Sequence, residues 1–323
     1  MAADTEPGIR KISSRKVTFR FGVGLALLIE VLLFSQLPHY FLTPENILNV
    51  TLQTSITAII AVGMTFVILT GGIDLSVGAV VALSGIVATS VLKTPLSVSF
   101  AYPLAILSGL ATGLFSGFVA GIFITRFNIT PFIVTLALMT IWRGISYMYT
   151  DGRPVWDLPE EFGTLGSGRL AEIPVPTIIM ILLYLMASVV LKRMRFGRYV
   201  FAVGGNREAA RLAGIDTNRV LLEVYCICGV LSAVSGILLA SRMNSGQPNA
   251  GVMYELDVIA AVVVGGTSLF GGTGSVAATF IGAMLIGVLR NGLNLLNISS
   301  YVQMVVVGVV ILLAVLLDQI RKS

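Results

Sequence analysis

Ten continuous apolar runs dominate the 323-residue chain, at about residues 21–37, 52–69, 78–92, 101–124, 131–149, 174–191, 220–241, 256–269, 276–289 and 301–317. Runs of this length match the roughly 20 residues a helix needs to cross a bilayer. Strands of a membrane barrel would instead alternate in polarity over about ten residues. Only 11% of residues are charged, less than half of the roughly 25% that a water-facing surface carries. With every backbone polar group needing an internal partner in lipid, helices are the remaining solution. The expected fold is all-α: a polytopic helical membrane protein of about ten transmembrane helices.

Charge sets the expected orientation. The first twenty residues hold Arg10, Lys11, Arg15, Lys16 and Arg20. The apolar run that follows is longer than a signal-peptide core, and no small-residue cleavage site comes after it, so it reads as a retained first helix. With both termini in the cytoplasm, 15 of the 21 Lys and Arg fall on the inner side, which satisfies the positive-inside rule. The other six are Lys93, Arg143, Arg153, Arg169, Arg242 and Arg290. The domain plan is a cytoplasmic tail over 1–20, a membrane domain over 21–317 containing a cytoplasmic loop at 192–219, and a cytoplasmic tail over 318–323. The longest outer loop, 150–173, carries five acidic residues against two arginines, as a docking surface or a solvated connector would.

Several chemistries are excluded. No Gly-Lys dipeptide occurs, so the chain lacks the G-x-x-x-x-G-K-[ST] loop that cradles a nucleotide's phosphates. Cys226 and Cys228 have no partner pair for a disulfide framework or zinc site and read as packing residues. His39 is the single histidine and is expected in a short loop.

Glycine is placed to do structural work. Gly109, Gly113, Gly117 and Gly121 recur every fourth residue and align on one helix face, where a neighbouring backbone can approach closely. Two Gly-rich pieces, GGIDLSVG at 71–78 and GGTSLFGGTG at 265–274, read as helix breaks buried in protein or lining a cavity. Asp74 lies in the first break. It can cap the helix that follows or contact a transported solute, and a charge there costs about 2.5–3.5 kcal/mol at the bilayer centre. Glu30 and Arg143 fall inside apolar runs and are expected to turn into the bundle, paired or, for Glu30, protonated. The segment NSGQPNAGVMYELDV, 244–258, gathers Gln247, Asn249, Tyr254, Glu255 and Asp257. These groups both donate and accept, as a polyhydroxylated ligand requires, although an ordinary polar loop has the same composition. With Asp74 they are the translocation-path candidates.

In the 192–219 loop, Asn206 suits an N-cap, residues 207–213 can form two turns, and Gly214 suits a C-terminal stop. Ala209, Leu212 and Ala213 would share one face, opposite Arg207, Glu208 and Arg211. A helix this short is unstable alone in water, so it must dock on this protein, on a soluble partner or, less suitably given its small residues, on a membrane surface.

The stretch GRYVFAVGGNREAARLAGI resembles the cytoplasmic coupling segment of ribose-type permeases of ABC importers. The likeness continues through AVGMTFVILTGGIDLSVGAVVALSG, PFIVTLALMTIWRGISYMYTDG, SGQPNAGVMYELDVIAAVVVGGTSLFGGTGSV and NGLNLLNISSYVQ. It covers roughly residues 41–318, in the same order. The resemblance implies a non-hydrolysing membrane subunit of the bacterial inner membrane that moves a monosaccharide, a ribose-like pentose or a hexose. Its implied partners are a second permease copy, a cytoplasmic ATPase that holds ATP and Mg, an outer sugar-binding protein and membrane lipid, with no nucleic acid and no cofactor on this chain. It also implies that Gly204, Gly205, Asn206, Glu208, Ala209, Ala210, Arg211, Leu212 and Gly214 engage the ATPase. The competing reading of the residues is an ion-coupled secondary transporter, which broken helices and intramembrane acids also suit. A polytopic membrane enzyme would need a nucleophile–base pair or metal cluster, and none is visible.

Overall fold

The computed structural model describes residues 8–36 and 41–322, and the described chain forms thirteen helices and one two-stranded ribbon. In order these are α1 (Gly8–Ser35), α2 (Pro44–Leu69), α3 (Val77–Leu92), α4 (Val98–Arg126), α5 (Pro131–Thr150), α6 (Glu160–Ser167), β1 (Arg169–Leu170), β2 (Ile173–Pro174), α7 (Val175–Arg193), α8 (Arg195–Gly205), α9 (Arg207–Leu212), α10 (Thr217–Arg242), α11 (Tyr254–Val264), α12 (Val276–Leu295) and α13 (Ser300–Lys322). His39 lies outside the described residues.

Each of the ten apolar runs overlaps one helix, although the 256–269 run loses its last five residues to a non-helical segment, and the polytopic helical class holds. Six helices, α2, α4, α5, α7, α10 and α12, are long and apolar enough to cross a membrane by length and composition. Three shorter apolar helices, Gly22–Ser35, Val77–Leu92 and Ser300–Leu313, accompany them. α11 has 11 residues, about 16 Å at 1.5 Å per residue, roughly half of the ~30 Å hydrocarbon thickness. It therefore does not cross alone. The predicted boundaries also move at the ends: helical backbone begins at Gly8, within the expected tail, and α13 runs on to Lys322.

Local sequence explains the helix starts. Thr43 accepts from Asn46 N at 3.3 Å with Pro44 in the first turn, and Asp216 accepts from Arg219 N at 3.0 Å to open α10. Thr70 follows α2, and Gly71 takes the left-handed φ of +79° that ends it.

α2 and α10 form the centre: 83% and 78% of their apolar windows are buried, against 28–33% for α4, α5 and α7. Large apolar side chains cover the outside of these last three, including Phe115, Ile133 and Leu182, as a lipid-facing surface requires. α4 lies directly on α10 along the four spaced glycines, all of them buried. A Cβ on Gly117 would overlap the Tyr225 carbonyl, and one on Gly113 would overlap that of Gly229. Between α3 and α10 the approach is equally close, at Gly85 and Gly236.

Residues 150–173, expected as an acidic outer loop, are partly folded onto the bundle. Phe162 of α6 is fully buried, its carbonyl accepts from the Ser241 hydroxyl, and Gly166 N donates to Ser241 Oγ at 2.7 Å. Val155 and Gly246 exchange two backbone hydrogen bonds of 2.8 Å, and Lys93 pairs with Asp157 at 3.0 Å. Apolar residues such as Phe162 and Leu158, interleaved with the acids, supply the reason: they bury against α10 while the carboxylates stay exposed.

Candidate functional site

Three non-helical segments interrupt the bundle: 70–76 between α2 and α3, 243–253 between α10 and α11, and 265–275 between α11 and α12. The first two meet inside it, where Gly78 at the start of α3 and Gly251 lie backbone to backbone, with Glu255 Oε2 beside them. Arg143 of α5 fixes the second segment by donating to the Pro248 carbonyl at 2.8 Å and the Ala250 carbonyl at 2.6 Å. The half-buried arginine thus has neutral backbone partners, consistent with its expected inward orientation. Glu30 is partly buried, and its Oε2 has no hydrogen-bond partner among the described residues.

Asp74 is buried and engaged in local structure. Its Oδ1 accepts from Ser76 N at 2.9 Å and Ser76 Oγ at 2.6 Å, which holds the start of α3. The neighbouring Ile73 carbonyl accepts from Thr135 at 3.3 Å and Tyr225 at 3.4 Å. Of the other path candidates, Gln247 donates to Ser245 at 3.2 Å, Asn249 is exposed, and Glu255 sits by Gly78.

Tyr254 and Asp257 reach a different place. They border a cavity of about 170 Å³ together with Gln53, Thr54 and Thr57 of α2, Arg242 at the end of α10, and Gly287 and Arg290 of α12. Asp257, 4% exposed at its side chain, accepts from Arg290 at 2.6 Å, whereas Arg242 has no ion pair among the described residues. The α2 residues and both arginines carry this site as much as the expected pair does. Gln53, Thr54 and Thr57 are a polar interruption in an apolar run, spaced to share a helix surface. That was the available signal.

At the opposite end of α2 a second assembly forms. Leu69 O accepts from Gly272 N at 2.9 Å, and a Cβ on Gly204 would collide with the same carbonyl, so the end of α8 is seated on the ends of α2 and the 265–275 segment through backbone alone. Asn206 then turns the chain into α9, its side chain accepting from Ala209 N at 2.9 Å. Gly214, at φ +84°, and its N–H bonded to Arg211 O at 3.0 Å end the helix. Glu208 and Arg211 pair at 2.6 Å on the exposed surface, and the guanidinium holds the Glu208 carboxyl below its usual range. The face shared by Ala209, Leu212 and Ala213 is not the one that meets this protein. Ala210 is buried, while Ala209, Leu212 and Ala213 are exposed, Leu212 to 75%. The extended backbone at Asn206 rotates the helix so that Ala210 meets the bundle.

A family profile described as "Branched-chain amino acid transport system / permease component" matches residues 46–315, most of the chain. The chain belongs to this family of ABC importer permeases. The permease is 49% identical over 317 residues to the ribose import permease protein RbsC of Bacillus subtilis, covering 97% of each chain. It is 47% identical over 298 residues to the protein of that name from Haemophilus influenzae, covering 91% of each. The D-allose transport system permease protein AlsC of Escherichia coli is 37% identical over 302 residues, covering 93% of the permease and 92% of its own length. No solved structure matches the permease significantly. As a permease component, the chain is a non-enzymatic, multi-pass membrane subunit, and an importer of this kind works with a separate ATPase and a substrate-binding protein.

Proposed function

We propose that the permease is the membrane subunit of an ATP-driven importer for a ribose-like monosaccharide in the bacterial inner membrane. In this reading both termini face the cytoplasm, the ten helical runs form the membrane domain, and two identical copies enclose the pathway. Nucleotide and Mg are bound by the ATPase subunits, and a sugar-binding protein delivers substrate from outside. Likeness to ribose permeases over nearly the whole length supports the substrate class.

The observation that carries the coupling assignment is α9 itself. A six-residue helix, capped at both ends, exposes Leu212 and the Glu208–Arg211 pair while its root is seated on α2 and the 265–275 segment. A helix this short gains little stability by itself in water, and an exposed leucine at its tip is completed by burial in a partner. Gly204, Gly205, Asn206, Glu208, Ala209, Ala210, Arg211, Leu212 and Gly214 constitute the coupling segment, with Ala210 facing inward and the exposed residues facing the ATPase. When ATP closes the motor dimer, a rigid gripped helix carries the displacement into the bundle, where a flexible loop would absorb it. The path passes the polar cavity at Tyr254 and Asp257.

The test is ribose uptake by the reconstituted transporter bearing Leu212→Asp or Glu208→Arg. Each change abolishes uptake while the permease remains in the membrane at its normal level. Unaltered uptake with either one overturns the coupling assignment, and uptake driven by an ion gradient without the ATPase overturns the importer.

A further inference from the structure

We propose that the cavity beside the Asp257–Arg290 pair is a sugar-holding station that grips a monosaccharide by its hydroxyls during passage; this rests on the sugar-importer reading above. Three observations converge on it.

The first is polarity out of place. Gln53 and Thr57 lie one turn apart on α2, the helix with the highest buried share, and Gln53 is exposed at the cavity. An amide on an apolar helix must face water or protein, because lipid offers no hydrogen bonds. The cavity therefore belongs to an aqueous route.

The second is unspent bonding capacity. Thr54, 3% exposed, has an Oγ1 without a hydrogen-bond partner among the described residues, and so has Arg290 Nε; both residues form the cavity wall. Asp257 uses Oδ1 toward Arg290, and its second oxygen has no hydrogen bond among the described residues. Buried polar atoms are almost always satisfied in native proteins. These point to a partner that comes and goes.

The third is the mixture of signs. An anion entering here would meet Arg242 and Arg290 but also the Asp257 carboxylate, and a cation would face two guanidinium groups. A neutral polyhydroxylated molecule suits both, since each hydroxyl donates to a carboxylate and accepts from an arginine or threonine. Tyr254 supplies an apolar ring face and a hydroxyl in the same wall. At about 170 Å³, far above the ~10–15 Å³ that one water needs by the same measure, the cavity has room for several waters or one small sugar.

The experiment uses the complete transporter in proteoliposomes, with Gln53→Cys as a reporter and the unsubstituted chain as the control for Cys226 and Cys228. A membrane-impermeant thiol reagent is applied with D-ribose, with inorganic phosphate, or with neither. The station predicts that D-ribose at about ten times its apparent dissociation constant slows alkylation about ten-fold, whereas phosphate leaves the rate unchanged. Protection by phosphate but not ribose would make the cavity an anion site and overturn the proposal. No protection by ribose, in a complex that still accumulates ribose with ATP, would overturn the station and leave the importer standing. A transporter that takes up no ribose would remove the reading beneath both. As a second measurement, Thr54→Val lowers ribose uptake about ten-fold at saturating loaded binding protein, and Thr54→Ser restores it. Equal uptake by the Val and Ser variants overturns the role of the hydroxyl.

Discussion

The two sides of α2 and α10 are built differently. On the α3–α4–α10 side, backbone meets backbone: Gly109, Gly113, Gly117 and Gly121 lie against α10, and Gly85 against Gly236. The acid of this side, Asp74, is buried and bonded to Ser76 at the start of α3. On the α2–α11–α12 side, hydroxyls, amides and charges face one another. Thr65 and Thr279 pair at 2.9 Å, Asp257 pairs with Arg290, and a cavity remains beside the second pair. The first arrangement makes a frame, because it leaves nothing to rearrange without a clash. The second contains bonds that can be exchanged for bonds to a solute.

The largest expected effect is at the frame. Gly117→Leu puts a branched side chain into the Tyr225 carbonyl, where no side-chain rotation relieves the overlap, so its cost exceeds the ~1–3 kcal/mol of ordinary overpacking. The permease should be absent from the membrane fraction on immunoblot, and normal abundance would show that α4 can separate from α10. Next is Asp257→Asn, which leaves the Arg290 charge without its partner and costs a few kcal/mol, toward the low end of ~3–5 because Arg290 is partly exposed. Adding Arg290→Gln should recover abundance without recovering ribose uptake. If the double variant transports normally, the polar side is as structural as the frame.

Asp74→Ala should lower the melting temperature of the solubilised permease by an amount equivalent to about 1 kcal/mol, the usual value of a helix-start acceptor, and Asp74→Asn should restore most of it. A large uptake defect in Asp74→Asn at full stability would move Asp74 to the transporting side. The smallest effect concerns Glu208. Its carboxyl is held low by Arg211, so the pair's contribution is present at neutral pH and is lost as pH falls through that lowered value. The pair is fully exposed, and screening keeps it weak. Glu208→Gln should therefore leave the melting temperature unchanged at pH 7 and pH 4 alike, which differential scanning fluorimetry can check.

The frame was far more legible in the sequence than the cavity. Four glycines at i, i+4 spacing announce a close helix contact, and Asn206 and Gly214 announce the limits of α9, because each signal is local. What the sequence hid depends on which chain ends return to the same place. Arg242 and Arg290 register only as charges when orientation is weighed, yet the turn-backs at 243–253 and 265–275 bring both beside Asp257. The two Gly-rich breaks give no hint that one meets 243–253 and the other meets Gly204. α8 went unread because FGRYVFAVGG combines three glycines and aromatic residues in a basic loop, a poor helix by propensity, and packing rather than local preference makes it helical.

The seat at Leu69 has a mechanical corollary. Leu69 and Thr54 belong to one unbroken helix, fifteen positions apart, so a rigid rod of about 22 Å joins the seat to the cavity wall. Its fulcrum is main chain from three segments, with no side chain to flex and absorb load. A push delivered at one tip of that rod is felt at the other, whichever residues line the membrane between them.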